Sequence, residues 1–193
     1  MDRRALETAA VRATYLRGLT AVPRGVLFLV TGAGNLGWEP LGNPFVFLAI
    51  LWVLGAGYAA VTRYYDERYG RVRLTRRQQL RFAAASFACF AIGLVGGSLL
   101  DFHLDLPVSL FAVTFGVAML VWFGICVGLR RHHVVVWGAL VVAGLLPVWG
   151  GFDDRMSVGW FPIGVATIVA GTLDHRALAA SFGPTDDDRV RVS

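Results

Sequence analysis

The sequence predicts an all-α, polytopic membrane protein: a six-transmembrane-helix bundle with an N-terminal amphipathic helix. Three observations carry that prediction. The 193 residues are 56% hydrophobic and only 16% charged, with a mean hydropathy of +0.60, whereas soluble domains lie nearer a quarter charged. Five apolar runs, at residues 44–62, 82–100, 107–129, 134–152 and 158–173, have close to the roughly 20 residues that a membrane helix needs. The basic residues, all 18 of them arginine, fall into alternate connections between those runs, which fixes a threading direction by the positive-inside rule.

The chain divides into a cytoplasmic amphipathic lead (residues 1–18), a six-span membrane domain (19–176) and a cytoplasmic tail (177–193). In the lead, "RRALETAAVRATYLRGL" sets Leu6, Ala9, Ala10, Ala13 and Leu16 along one helical side, with Arg3, Arg12 and Glu7 mostly elsewhere. Such a helix lies on the inner leaflet or docks on the bundle. A charged lead holding Arg3, Arg4, Arg12, Arg17 and Arg24 is too long for a cleavable signal peptide, so it reads as part of the mature structure.

The first apolar run, residues 25–38, is short enough to be re-entrant, and charge parity decides in favour of a crossing. The loop at 63–81, "RYYDERYGRVRLTRRQQLR", holds seven arginines and belongs in the cytoplasm with the lead. Two cytoplasmic segments are separated by an even number of crossings, so the first run crosses together with 44–62. It starts near Leu19 and carries Pro23 and Arg24 in its first turns, where arginine snorkels. Beyond the elbow, Arg130, Arg131, Arg176, Arg189 and Arg191 fall inside and only Arg155 outside, while Glu39, Asp101, Asp105, Asp153 and Asp154 mark the outer loops. The expected location is the inner (plasma) membrane, with both termini cytoplasmic. Trp38, Trp149 and Trp160 are expected at the outer interface and Trp137 near the inner one, with Trp52 and Trp122 deeper. The tail after Gly183 lacks periodicity and reads as flexible.

"FLVTGAGNLGWEP" contains Gly32, Gly34 and Gly37 at the spacing of a dinucleotide-binding turn. That turn needs a helix after it and an acid about 20 residues on. Pro40 and Pro44 interrupt the helix, and "AILWVLGAGYAAV" supplies no carboxylate. These glycines are instead small residues for close helix approach. Small pairs recur at Ala33/Gly37, Gly55/Ala59, Gly93/Gly97, Gly124/Gly128 and Ala166/Ala170, a pattern that packs helices within a bundle or between copies of the chain in a homo-oligomer.

Four clusters are candidates for function. Arg63, Arg68, Arg71, Arg73, Arg76, Arg77 and Arg81, among Tyr64, Tyr65 and Tyr69, form a basic elbow that attracts anionic lipid or a cytoplasmic protein partner. Nucleic acid is excluded as a partner, because no reading motif accompanies the charge. In the outer loop "LLDFHLDLP", Asp101, His103 and Asp105 share one side if the segment is extended, a donor set suited to a divalent metal. On the cytoplasmic side His132, His133 and His175 gather near Asp174 as a proton-sensitive group. Cys89 and Cys126 lie in apolar runs and read as packing residues.

No Walker loop, nucleophile with its base or redox cysteine pair is present, and no cofactor is expected. The leading expectation is a non-enzymatic membrane subunit or regulator that presents its basic surface to a partner or to anionic lipid. A small transporter or channel for an apolar or neutral solute is the alternative, and a metal-dependent enzyme at the outer Asp/His loop the third.

Overall fold

The computed structural model describes residues 17–69 and 75–182. The lead at residues 1–16, Arg71 and Arg73 of the elbow, and the tail from 183 onward lie outside the described residues. Among the described residues every regular element is helical. A short 3-10 turn at Gly18–Thr20 leads into α1 (Ala21–Asn35), and a second at Glu39–Gly42 into α2 (Pro44–Tyr69). There follow α3 (Arg76–His103), α4 (Leu110–Cys126), α5 (Arg131–Gly144) and α6 (Phe152–Phe182). Three of these, α2, α3 and residues Phe152–Ser181 of α6, are long and apolar enough to cross a membrane.

Local chemistry sets the boundaries. Gly37 adopts φ +79 at the end of α1, where Trp38 N–H bonds the Ala33 carbonyl at 3.1 Å and Gly37 N–H that of Gly34 at 3.0 Å. This is a glycine helix stop, so the third glycine of the dinucleotide-like motif ends a helix where the nucleotide turn requires one to begin. Thr75 caps α3 reciprocally with Gln78. At the end of α4, Gly128 takes φ +90 and returns its N–H to the Phe123 carbonyl at 2.8 Å. Within α3, Ala91–Gly96 widens into a π-helical segment, and its Gly93 carbonyl is met by the Thr114 hydroxyl of α4 at 3.2 Å.

The closest helix pair is α1 against α6. A Cβ on Gly18 collides with the Gly171 carbonyl, one on Gly25 meets the Gly164 carbonyl at 2.8 Å, and one on Gly32 meets the Trp160 Cβ at 3.0 Å and the Ser157 carbonyl at 3.3 Å. Gly18, Gly25 and Gly32 recur every seven residues, as do Ser157, Gly164 and Gly171 in the opposite direction, so two antiparallel backbones touch along their whole shared length. The Gly93/Gly97 pair works in the same way, packing on Phe115, Ala118, Phe111 and Thr114 of α4. Gly116 and Gly144 admit α5 to α4, where a Cβ on Gly144 meets Val113 N at 2.9 Å. The core between these helices is aromatic: Phe111, Phe115, Phe123 and Trp137 cluster with Leu140 and Ile163. Trp137, expected at an interface, is 1% exposed, because α5 turns it inward onto Phe115 and Phe123.

α2 stands apart. None of its most apolar window is buried, Gly55 meets nothing within 4 Å, and Trp52 is 79% exposed. Among the described residues the Gly55/Ala59 pair therefore packs no other helix. Gly124 has only Leu129 within reach, at 4.0 Å, and Gly128 belongs to a turn. The end of α2 is nevertheless anchored, with Tyr65 fully buried against Leu178 of α6.

Replacing Gly25 and Gly55 separately by leucine distinguishes a packed glycine from an open one. Gly25→Leu is expected to cost about 1 to 3 kcal/mol by overpacking, measured as denaturant unfolding in detergent, while Gly55→Leu leaves the midpoint unchanged.

Candidate functional site

Polar groups from four elements meet at the end of the bundle where α5 begins and α6 finishes. α5 starts at Arg131 because Arg130 is extended (φ −106, ψ 159) and its N–H is received by His133 Nδ1, three residues on, at 3.4 Å. A backbone N–H can only donate, so Nδ1 accepts and the ring proton of His133 sits on Nε2. That nitrogen lies 2.8 Å from Asp174 Oδ1, and His132 Nε2 lies 2.9 Å from the same oxygen. His133 is fully buried, stacked on Phe123 with ring centroids 3.7 Å apart, and its neighbour His132 stays partly exposed. Among the described residues this is the group of three such donors whose ligand atoms all lie within 4.8 Å of one another.

One turn away, Tyr65 joins α2 to the cluster's helix. Its hydroxyl receives Leu19 N–H at 3.1 Å and lies 2.8 Å from His175 Nδ1. Each atom is used once if Tyr65 O–H donates to that nitrogen. Arg17 lies over the Tyr65 ring and pairs with Asp66 at 2.7 Å. The histidines thus split into two groups. His132 and His133 share Asp174, and His175 goes to a tyrosine that sequence reasoning had placed only in the basic elbow.

Asp174 also borders a partly open cavity of about 140 Å³ lined by residues 17–20 and by α1, α3, α4, α5 and α6. Its polar rim is formed by Arg17, Thr20, Arg24 and Asp174, and its walls by Phe28, Phe90, Phe115, Met119, Trp122 and Trp137. Arg24 donates Nε to the Thr20 carbonyl at 3.3 Å, and Trp122 donates to Ser86 at 3.0 Å. The indole N–H of Trp137 is buried without an acceptor among the described residues.

The outer-loop donors have other partners. Asp101 is buried at the end of α3, and its two oxygens accept Leu110 N–H at 2.7 Å and Phe111 N–H at 3.0 Å. It therefore satisfies the orphan amides of the first turn of α4. Asp105 is paired with Arg155 at 3.0 Å, and His103 is exposed against the Phe102 ring. Arg155, the one arginine assigned outside, is itself buried, and it also donates to the Asp101 carbonyl at 3.3 Å. The segment continues as helix to His103, so the extended geometry that aligns the three donors does not occur.

In the basic elbow Arg63, Arg68, Arg76, Arg77 and Arg81 are all exposed. Arg63 pairs with Glu67 one turn on, at 2.8 Å. The cavity, the inward Trp137 and the structural duty of Asp101 were missed in the sequence. Heptad spacing of Gly18, Gly25 and Gly32 was the available clue to the first of these, because it brings Arg24 beside α6.

No protein-family model, curated protein or solved structure matches this chain. Function therefore rests on this geometry.

Asp101→Ala leaves two buried amides without acceptors and is expected to destabilise the fold by about 1 to 3 kcal/mol. Asp105→Ala, at a side chain 92% exposed that pairs with the buried Arg155, is expected to destabilise measurably but by less than Asp101→Ala, because the guanidinium keeps its bond to the Asp101 carbonyl. Paired unfolding curves in detergent check both.

Proposed function

We propose that the protein is a non-enzymatic membrane component that crosses the inner (plasma) membrane six times and binds one anionic phospholipid at its cytoplasmic end. The observation that carries this reading is the two-zone lining of the cavity. Arg24, Thr20 and Arg17, the last paired with Asp66, stand at one side together with Asp174, which is engaged by His132 and His133, and Phe28, Phe90, Phe115, Met119, Trp122 and Trp137 form the walls. At about 140 Å³ the cavity takes one end of such a lipid, with Arg24 facing its charged part and the aromatic walls a short apolar portion, while the rest of the molecule stays in the bilayer. The exposed arginines of the elbow support the same polarity, since each cation near an anionic leaflet contributes about 1 kcal/mol.

Six crossings go beyond the three long helices, and three features support them. Large apolar side chains are exposed on every side of the bundle, among them Phe45, Phe87, Ile125, Val135 and Trp149. A surface of that kind suits lipid. The segment from Gly18 through α1 lies antiparallel against residues 157–171 of α6, about half of that helix, so a crossing by this part of α6 carries α1 with it. α5, at 14 residues, spans only about 21 Å of a hydrocarbon layer about 30 Å thick. Its outer connection is completed by backbone pairing: Ser109 N–H bonds the Gly144 carbonyl and Val148 N–H the Pro107 carbonyl, both at 2.9 Å. Irregular backbone is tolerated at membrane depth when its polar groups are paired in this way.

A binding role is favoured over a through-path because aromatic rings occupy the space next to the cavity. Phe28 on its wall packs on Trp160 at 5.4 Å, and Trp160 on Phe111 at 4.7 Å. With both termini cytoplasmic, the lipid site and the basic elbow face the same compartment, where a protein partner can read lipid occupancy.

Brominated phosphatidylglycerol is expected to quench the fluorescence of Trp122 and Trp137 more strongly than brominated phosphatidylcholine. Arg24→Gln should weaken the phosphatidylglycerol response about fivefold, the equivalent of about 1 kcal/mol. Equal quenching by the two lipids, unchanged in Arg24→Gln, contradicts the reading.

A further inference from the structure

We propose that His132, His133 and Asp174 form a binding site for a divalent first-row transition metal of the zinc class. Adjacent residues on a helix point about 100° apart, so two neighbouring imidazoles do not ordinarily converge on one atom. Here both Nε2 atoms reach Asp174 Oδ1, at 2.9 Å and 2.8 Å, from the first turn of α5 to the far end of α6. The three ligand atoms lie mutually within 4.8 Å. In a tetrahedral site with bonds near 2.0 to 2.1 Å, ligand atoms stand about 3.3 Å apart. The two imidazole–carboxylate separations reach that value by opening about half an ångström, and the two imidazole nitrogens, within 4.8 Å of each other, are brought to it by rotamer adjustment of the partly exposed His132.

The donor set selects the ion. Two imidazole nitrogens and one carboxylate suit zinc and its neighbours, whereas magnesium and calcium demand six or more oxygens. Burial of His133 and Asp174 shields the site on the bundle side, and Asp174 borders the cavity. A fourth ligand, water or a ligand oxygen, has room to approach from there, which is the arrangement of an open site.

In the metal-free form His133 carries its proton on Nε2; on ligation that nitrogen bonds the ion and the proton moves to Nδ1. The change ends the contact from Arg130 N–H, which at 3.4 Å is at the long limit of a hydrogen bond. Asp174 offsets one of the two positive charges. The site stands independently of the lipid reading, because metal binding is measured without added lipid.

The test uses the full chain, free of any histidine tag, purified in detergent and treated with chelator. Titration with cobalt(II) should produce visible ligand-field absorption that saturates at one ion per chain, is displaced by zinc, and is unaffected by magnesium. His132→Ala and Asp174→Asn should each weaken binding by on the order of 100-fold, and His103→Ala, in the outer loop, should not change it. His132→Asn serves as a second variant at the partly exposed position should alanine disturb α5. Absence of saturable absorption overturns the proposal and leaves a purely hydrogen-bonded cluster. Absorption that survives His132→Asn and Asp174→Asn, or that is lost in His103→Ala, also overturns it.

Discussion

The direct backbone contact between α1 and α6 is the constraint on which the rest of the molecule depends. Glycine at positions 18, 25, 164 and 171 removes the Cβ atoms that would hold two helices apart, and the approach gains van der Waals contact along both backbones. Heptad spacing on both helices keeps the contact continuous and antiparallel. The seam fixes Arg24 one turn from Thr20 on the same side as Gly171 and Asp174, so a cation and an anion face one cavity. Without it α1, only 15 residues long, has little reason to stand upright.

The buried polar groups show how the interior is held once the helices are close. Asp101 serves the amides of α4, Arg155 ties the loop after α3 to α6, and Asp174 joins α6 to α5. Each links two elements that glycine contacts alone leave free to slide. An unpaired carboxylate or guanidinium is expensive in such surroundings, so these pairings specify register as well as stability. The two ends of the bundle differ in kind. At one end both oxygens of Asp101 receive backbone amides, whereas at the other a single oxygen of Asp174 serves two imidazoles beside an open cavity.

Composition and the lengths of the apolar runs were enough to read, among the described residues, an all-helical fold with helices of membrane length, because both properties are sums over many residues. The apolar runs 44–62 and 82–100 fall within α2 and α3, whereas α5 ends at Gly144, eight residues short of the end of the run read at 134–152. The grouping of His132 and His133 with Asp174 was also legible, since all were assigned to one side. What the sequence concealed was direction. Asp101, His103 and Asp105 align only on an extended segment, and the helix persists through His103, which turns Asp101 inward and leaves the others in solvent. Trp137 looked interfacial by its position near a span end, but rotation of α5 about its own axis is a tertiary property that periodicity does not report for a helix apolar on most sides. Small-residue pairs were read at four-residue spacing, while the dominant seam uses seven.

Labelling of single introduced cysteines with a membrane-impermeant maleimide, with Cys89 and Cys126 replaced by alanine, tests the central claim most directly. If α1 crosses the bilayer against α6, Gly42→Cys and Asp153→Cys are labelled on intact cells, while Arg131→Cys and Arg176→Cys are labelled only after permeabilisation. Protection of Gly42→Cys in intact cells while Asp153→Cys is labelled would place the far end of α1 on the opposite side from the start of α6, and the seam could not exist as described.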